Sequence, residues 1–172
     1  MKTYEFDNMN PDATVLRGVS PLVVEKPRAL SHVHTYGGES KFFEGLTHGK
    51  LYATRCTNKG SGCVSAESGE MYLPPRVYCP DCLERMEWVE LKNPKAKIHT
   101  HITIKYPGAF NRLPLPAHLI SVEIEGVVTI MMSYLVGAEP KIGMEIEPRF
   151  NTTKPTFSIL DLHWVPKGYK GR

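Results

Sequence analysis

From Trp88 onward the apolar positions alternate with a period of two, the spacing of half-buried strands. Ile98, Ile102 and Ile104 fall on one side of a first strand, opposite His99, His101 and Thr103. Ile120, Val122 and Ile124 alternate with Ser121, Glu123 and Glu125 in a second. Gly126 opens a third, in which Val128, Ile130, Met132 and Tyr134 share a face. Met144-Glu145-Ile146-Glu147 supplies a fourth strand and Phe157 to Trp164 a fifth. Before Trp88 the pattern differs. Ser40-Lys41-Phe42-Phe43-Glu44-Gly45-Leu46 predicts a short helix capped by Ser40, with Phe42, Phe43 and Leu46 on its apolar face. Lys50 to Arg55 then reads as a strand. Residues 1 to 35 show neither period, and their four bases and four acids cancel. Val15-Leu16 and Pro21-Leu22-Val23-Val24 are apolar enough to dock on a partner, so a docking arm and a plain disordered tail both fit.

Five strands separated by Gly and Pro turns predict a small antiparallel barrel, of which the OB-fold is the five-stranded form. An SH3-like barrel is the alternative, since strand count does not separate the two. The expected organisation is an extended arm over 1–35, a helix plus ribbon over 36–92, a barrel over 93–166 and a basic tail over 167–172. Composition changes this picture little. The 172 residues are 41% hydrophobic and 23% charged with a net charge of +3, a globular, loop-rich balance that permits an anionic ligand without demanding nucleic acid. No run approaches a membrane span, and the acidic start lacks the order of a signal peptide, so a cytoplasmic location is expected.

The cysteines carry the sharpest chemistry. Cys79-Pro80-Asp81-Cys82 is a C-x₂-C knuckle, whose gap turns two sulfurs onto one metal. Cys56 and Cys63 have six residues between them, including Gly60-Ser61-Gly62, a wider loop, and fifteen residues, enough for a strand and a turn back, lead on to Cys79. In a reducing compartment this C-x₆-C-x₁₅-C-x₂-C order predicts one structural Zn²⁺ in a rubredoxin-like ribbon rather than two disulfides. Iron takes similar ligands. Four thiolates close the coordination sphere and leave no cysteine as a nucleophile. His48 is a spare ligand upstream, better read as a surface histidine.

The segments Tyr36 to Pro166 resemble the DUF35 proteins, the thiolase-associated zinc-ribbon/OB-fold family. The resemblance rests on Ser40 to Leu46, on Leu73-Pro74-Pro75-Arg76-Val77-Tyr78 leading into the knuckle, on Glu87-Trp88-Val89 and on Lys141-Ile142-Gly143-Met144-Glu145-Ile146. The wide Cys56/Cys63 gap departs from the family's usual x₂. The resemblance implies a non-catalytic subunit that stabilises a thiolase-superfamily partner and shapes its acyl-CoA pocket. Members serve acetoacetyl-CoA thiolase, steroid side-chain aldolases, acetylating enzymes and benzoylsuccinyl-CoA thiolase of anaerobic toluene degradation. The arm and Tyr36 to Ser40 are most similar to the bacterial degradative group, and among it to the small subunit of that last thiolase.

The chain holds no G-x-S-x-G, Walker loop or G-x-G-x-x-G. His99 and His101 share the polar side of one strand; they could bind a metal or a thioester carbonyl, but such pairs are more often solvated or interfacial polar positions. Asp161 and His163 read as an ordinary ion pair at a strand edge. For coenzyme A, Arg76, Lys97, Lys105 and Arg112 offer cations and Phe110 an apolar contact; Arg112 and Phe110 are the candidates retained. Two other functions stay open: a nucleic-acid-binding ribbon/OB module, disfavoured by Glu123 and Glu125, and a stand-alone acyl-CoA binder or thioesterase.

Overall fold

A computed structural model describes residues 14–16, 23–25, 34–106 and 113–171. The chain divides into two units, Met1–His34 and Thr35–Arg172. In the first, β1 (Thr14–Leu16) pairs antiparallel with β2 (Val23–Glu25), Val15 opposite Val24. The candidate CoA contacts Phe110 and Arg112 lie outside the described residues.

The second unit is mainly β. Helix α1 (Ser40–Thr47) buries Phe42 and Leu46. Ser40 is its first helical residue rather than its cap. Glu39 takes the cap position without a side-chain bond, because a 3₁₀ turn at Tyr36–Gly38 runs directly into the helix. Gly45 is required by packing: a Cβ there would stand 2.5 Å from the Tyr52 ring. The ribbon sheet has the order β4 (Met71–Tyr72), β3 (Tyr52–Arg55), β5 (Glu87–Glu90). A five-residue helix, α2 (Val64–Ser68), sits between Cys63 and β4, where the sequence predicted a strand and turn only.

Five strands close into a barrel: β6 (Ala96–Ile104), β7 (Ala117–Ile124), β8 (Met131–Leu135), β9 (Glu145–Phe150) and β10 (Leu162–Pro166). Around the barrel the order is β10-β8-β7-β6-β9, with every pair antiparallel except β8 with β10. That closure, with the last strand slotted between β8 and β9, is the Greek-key path of an OB-fold, and it settles what strand count left open. The fifth strand starts at Leu162, not Phe157, because residues 151–161 form a loop ending in a 3₁₀ turn (Ile159–Asp161).

Two strand readings are corrected. In β8 the buried side chains are Met131, Ser133 and Leu135, while Val128, Ile130 and Met132 are exposed, so the inward phase is the opposite one. In β6 the register slips between Ile98 and Thr100. The extra residue of this bulge reverses the alternation, leaving Ile98 buried opposite Val122 and Ile102 exposed opposite Leu119.

One apolar core runs through the unit. It joins Phe42 and Leu46 of α1, Leu51, Ala53 and Leu73 of the ribbon, and Ile98, Ile120, Val122, Met131, Leu162 and Trp164 of the barrel. Burying each large side chain contributes about 1.5–3 kcal/mol. Polar bonds fix the same junction. Thr129 Oγ donates to the Leu73 carbonyl at 2.7 Å and accepts the Leu73 N–H at 2.9 Å. Met71 N–H donates to the Gly126 carbonyl, and Val128 N–H to that of Met71. The ribbon is therefore clamped to the β7–β8 turn.

Candidate metal centre and a cationic cleft

Each cysteine is delivered by a different local device. Cys56 follows β3 directly. The wide loop beyond it tightens through a 3₁₀ turn (Lys59–Ser61) and a left-handed Gly62 at φ 69°, a conformation glycine adopts without a Cβ penalty, and returns the chain to Cys63 at the head of α2. Cys79 and Cys82 lie in a tight loop in which Leu83 N–H donates to the Cys79 carbonyl and Cys79 N–H to that of Glu84.

The four sulfurs lie within 4.8 Å of one another. Cys56 Sγ is 3.7 Å from Cys63 Sγ and 3.6 Å from Cys82 Sγ, and Cys63 Sγ is 3.6 Å from Cys79 Sγ. Four thiolates at about 2.3 Å from a tetrahedral Zn²⁺ are separated by about 3.8 Å, so the cluster has the size of a closed four-sulfur site. Among the described residues it is the one grouping of His, Cys, Asp or Glu side chains that can hold a metal. Three of the cysteines are buried. His48 is elsewhere engaged, its Nδ1 2.9 Å from the Glu44 carbonyl.

The surroundings favour thiolate unevenly. Burial pushes the Cys63 thiol up to about 12. Burial also raises Cys79, but the backbone N–H groups of Cys82 and Asp81 and the thiols of Cys63 and Cys56 outweigh it, lowering Cys79 to about 7. A polar brace links the two halves of the site. Asp81 accepts the Ser65 hydroxyl at 2.6 Å and the Ser65 N–H at 3.0 Å, and the same hydroxyl is 2.7 Å from the Tyr72 phenol. The Ser65 side chain, then its N–H, hold the Asp81 carboxyl below its ordinary range against the opposing effect of burial. Such brackets orient ligands that a metal alone would leave free to turn.

The histidine pair is differently placed. His99, at the bulge, lies on the side of Glu123, its Nδ1 3.5 Å from Glu123 Oε2, while Lys97 Nζ holds Glu123 Oε1 at 3.0 Å. His101 is paired with Ile120, so the register puts it on the opposite face of β6. Asp161 and His163 do not form the expected ion pair. Asp161 is fully buried and accepts the Thr156 N–H at 2.8 Å, the Thr156 hydroxyl at 3.0 Å and the Asn151 amide at 3.2 Å, organising the 151–161 loop. His163 instead stacks on Tyr134, with ring centroids 5.7 Å apart.

A second concavity, of about 590 Å³, opens between the ribbon and the β6–β9 side of the barrel. Its walls carry five cations, Lys50, Lys92, Lys95, Arg149 and Lys167, against the carboxylates Glu90, Glu145 and Glu147. Lys167 Nζ binds Glu145 at 2.8 Å and Arg149 binds Glu147 at 2.8 Å, while Lys50 lies 3.8 Å from Glu90 and Lys95 3.0 Å from Glu125. These cations are absent from the sequence-derived set. They are scattered over four segments, and only the packing of the ribbon and the barrel strands collects them.

Comparison with known proteins adds the following. Residues 88–151 match the family model of the ChsH2 C-terminal OB-fold domain. No curated protein sequence matches the chain. A crystal structure of a DUF35-family protein of unknown function from Sulfolobus solfataricus superposes with a TM-score of 0.52 at 23% identity, covering 76% of this chain and 84% of that one. A chain of the Ltp2–ChsH2(DUF35) aldolase superposes with a TM-score of 0.56 at 20% identity, covering 81% and 98%.

Proposed function

We propose, for a chain that belongs with the DUF35 OB-fold proteins, the role of a non-catalytic subunit in a thiolase-type complex acting on acyl-CoA. The observation that carries this reading is that ChsH2 is reached twice, by sequence over residues 88–151 and by fold over nearly all of a chain named as part of an aldolase assembly. The four cysteines support it. Used together on one Zn²⁺, they hold the ribbon and leave no open coordination position for a substrate.

The cationic cleft suits the phosphates of coenzyme A, with Lys92 at its rim, Lys95 able to turn from Glu125, and a partner closing its open side. The substrate we assign is benzoylsuccinyl-CoA, cleaved with free coenzyme A to benzoyl-CoA and succinyl-CoA by the partner's own catalytic residues, in the cytoplasm. Among the described residues no helix is long and apolar enough to cross a membrane. Co-expression with a thiolase homologue followed by size-exclusion chromatography tests the assembly. Co-elution, with thiolytic cleavage by the complex and none by this chain alone, is the expected result. A stable monomer that hydrolyses acyl-CoA unaided would refute it. Cleavage of other acyl-CoA esters but not benzoylsuccinyl-CoA would remove only the substrate assignment.

A further inference from the structure

A smaller cleft lies at the far end of the β7–β8 pair, away from both sites above in its lining residues. It measures about 280 Å³, and its walls are mainly apolar, with Pro114, Pro116, Ala117, Leu135, Val136 and Ala138 beside the one phenol of Tyr134. His118 brings the imidazole to this lining, its side chain only 13% exposed. The ring is held from behind. Thr103, the residue directly opposite it across β6 and β7, places its hydroxyl 3.1 Å from His118 Nδ1. The other ring nitrogen, Nε2, is 3.7 Å from Glu139 Oε1, beyond hydrogen-bonding range.

The Thr103 hydroxyl can serve either tautomer, so the carboxylate is what biases the ring. A carboxylate near Nε2 favours the proton on that nitrogen, and the Thr103 hydroxyl then donates to Nδ1. The result is an Nε2–H donor on a residue of the cleft wall, with the exposed Glu139 carboxylate 3.7 Å from it. Apolar walls with few placed polar groups are the usual form of a small-ligand site. We infer that this cleft binds a small apolar acyl or aryl group through a neutral carbonyl oxygen accepted onto His118 Nε2–H. The carboxylate of Glu139, exposed and 3.7 Å from His118 Nε2, disfavours a carboxylate ligand on that nitrogen. The volume admits a phenyl ring or a short acyl chain, not a whole cofactor. This inference stands on the cleft alone and does not require the thiolase-type partner.

The test is a nuclear magnetic resonance titration of the ¹⁵N-labelled full chain with benzamide, S-benzoyl-N-acetylcysteamine and benzoate. Both neutral carbonyl probes should give saturable shifts at Ala117, His118, Leu135, Val136 and Ala138 below about 10 mM, with benzoate weaker by roughly tenfold. If the thioester binds and the amide does not, the pocket selects acyl thioesters within the same class. His118→Phe, which keeps an aromatic ring without the N–H, should weaken binding about tenfold, and His118→Gln should restore part of it. Absence of saturable shifts at these positions in the unaltered chain would overturn the inference. So would equal binding of benzoate, or full binding by His118→Phe.

Discussion

The phenol of Tyr36 donates to the carbonyl of Phe157 at 2.6 Å, and both residues hold left-handed backbone, at φ 51° and φ 53°. Left-handed conformations cost a non-glycine residue roughly 1–2 kcal/mol. Here two of them are joined across 121 positions of sequence. Tyr36 also stacks on Phe43 of α1, with centroids 4.0 Å apart, so the segment before the helix and the β9–β10 loop restrain one another.

Tyr36→Phe keeps the stack and removes the bond. It should lower stability by about 1 kcal/mol, read as a shift in urea midpoint. Phe157→Gly should be neutral or stabilising, because it relieves left-handed backbone at a side chain that is 53% exposed. A loss of more than about 2 kcal/mol on Phe157→Gly would show that the ring has a packing role.

The purified chain should carry one Zn²⁺, measured by mass spectrometry of the native protein. Structural zinc sites contribute on the order of 10–16 kcal/mol of apparent binding free energy. Stripping the metal, or Cys79→Ser, should therefore raise amide exchange first across residues 51–90, and should also abolish co-elution with a thiolase-type partner. Unchanged exchange after verified metal removal would contradict a structural role.

Burial, and then the charge of Arg149, hold His163 below its ordinary pKa of 6.5. As pH falls, the unfolded chain takes up this proton before the folded chain does. Stability is full above 6.5 and is lost below it until the lower folded-state pKa is reached. His163→Phe, which preserves the stack on Tyr134, should flatten that part of the profile. Denaturation midpoints at about pH 7.5 and about pH 5.5 for both chains provide the check.

The phase of β8 is open to a simple comparison. Met131 is 1% exposed and Met132 67%. Met131→Ala should cost about 2–5 kcal/mol, whereas Met132→Lys should stay within about 0.5 kcal/mol. Reversal of that order would restore the inward face that alternation alone suggested.

The legible parts of the sequence were those where chemistry or contrast left one solution. The four cysteines announced their cluster by spacing, and Ile120, Val122 and Ile124 announced their face because Ser121, Glu123 and Glu125 stand between them. In β8 both phases are largely apolar, with Ile130, Met132 and Tyr134 on one side and Met131 and Leu135 on the other, so period two carries no sign of which faces in. The bulge at His99 is invisible for a related reason: apolar and polar residues keep alternating through a register slip. Asp161 was read against its sequence neighbour His163, while its true partners, Thr156 and Asn151, belong to a loop that only the fold closes around it.

The parallel pairing of β10 with β8 orders events while the chain is being made. All four cysteines are available once residue 82 has emerged, so the ribbon can close on its metal early. The barrel cannot close until β10 follows, roughly 80 residues later, or on the order of 4–16 s at about 5–20 residues per second. From the emergence of β8, and then of β9, until β10 follows, the edges that β10 will cover are unpaired, the state in which a nascent sheet is most open to wrong strand partners.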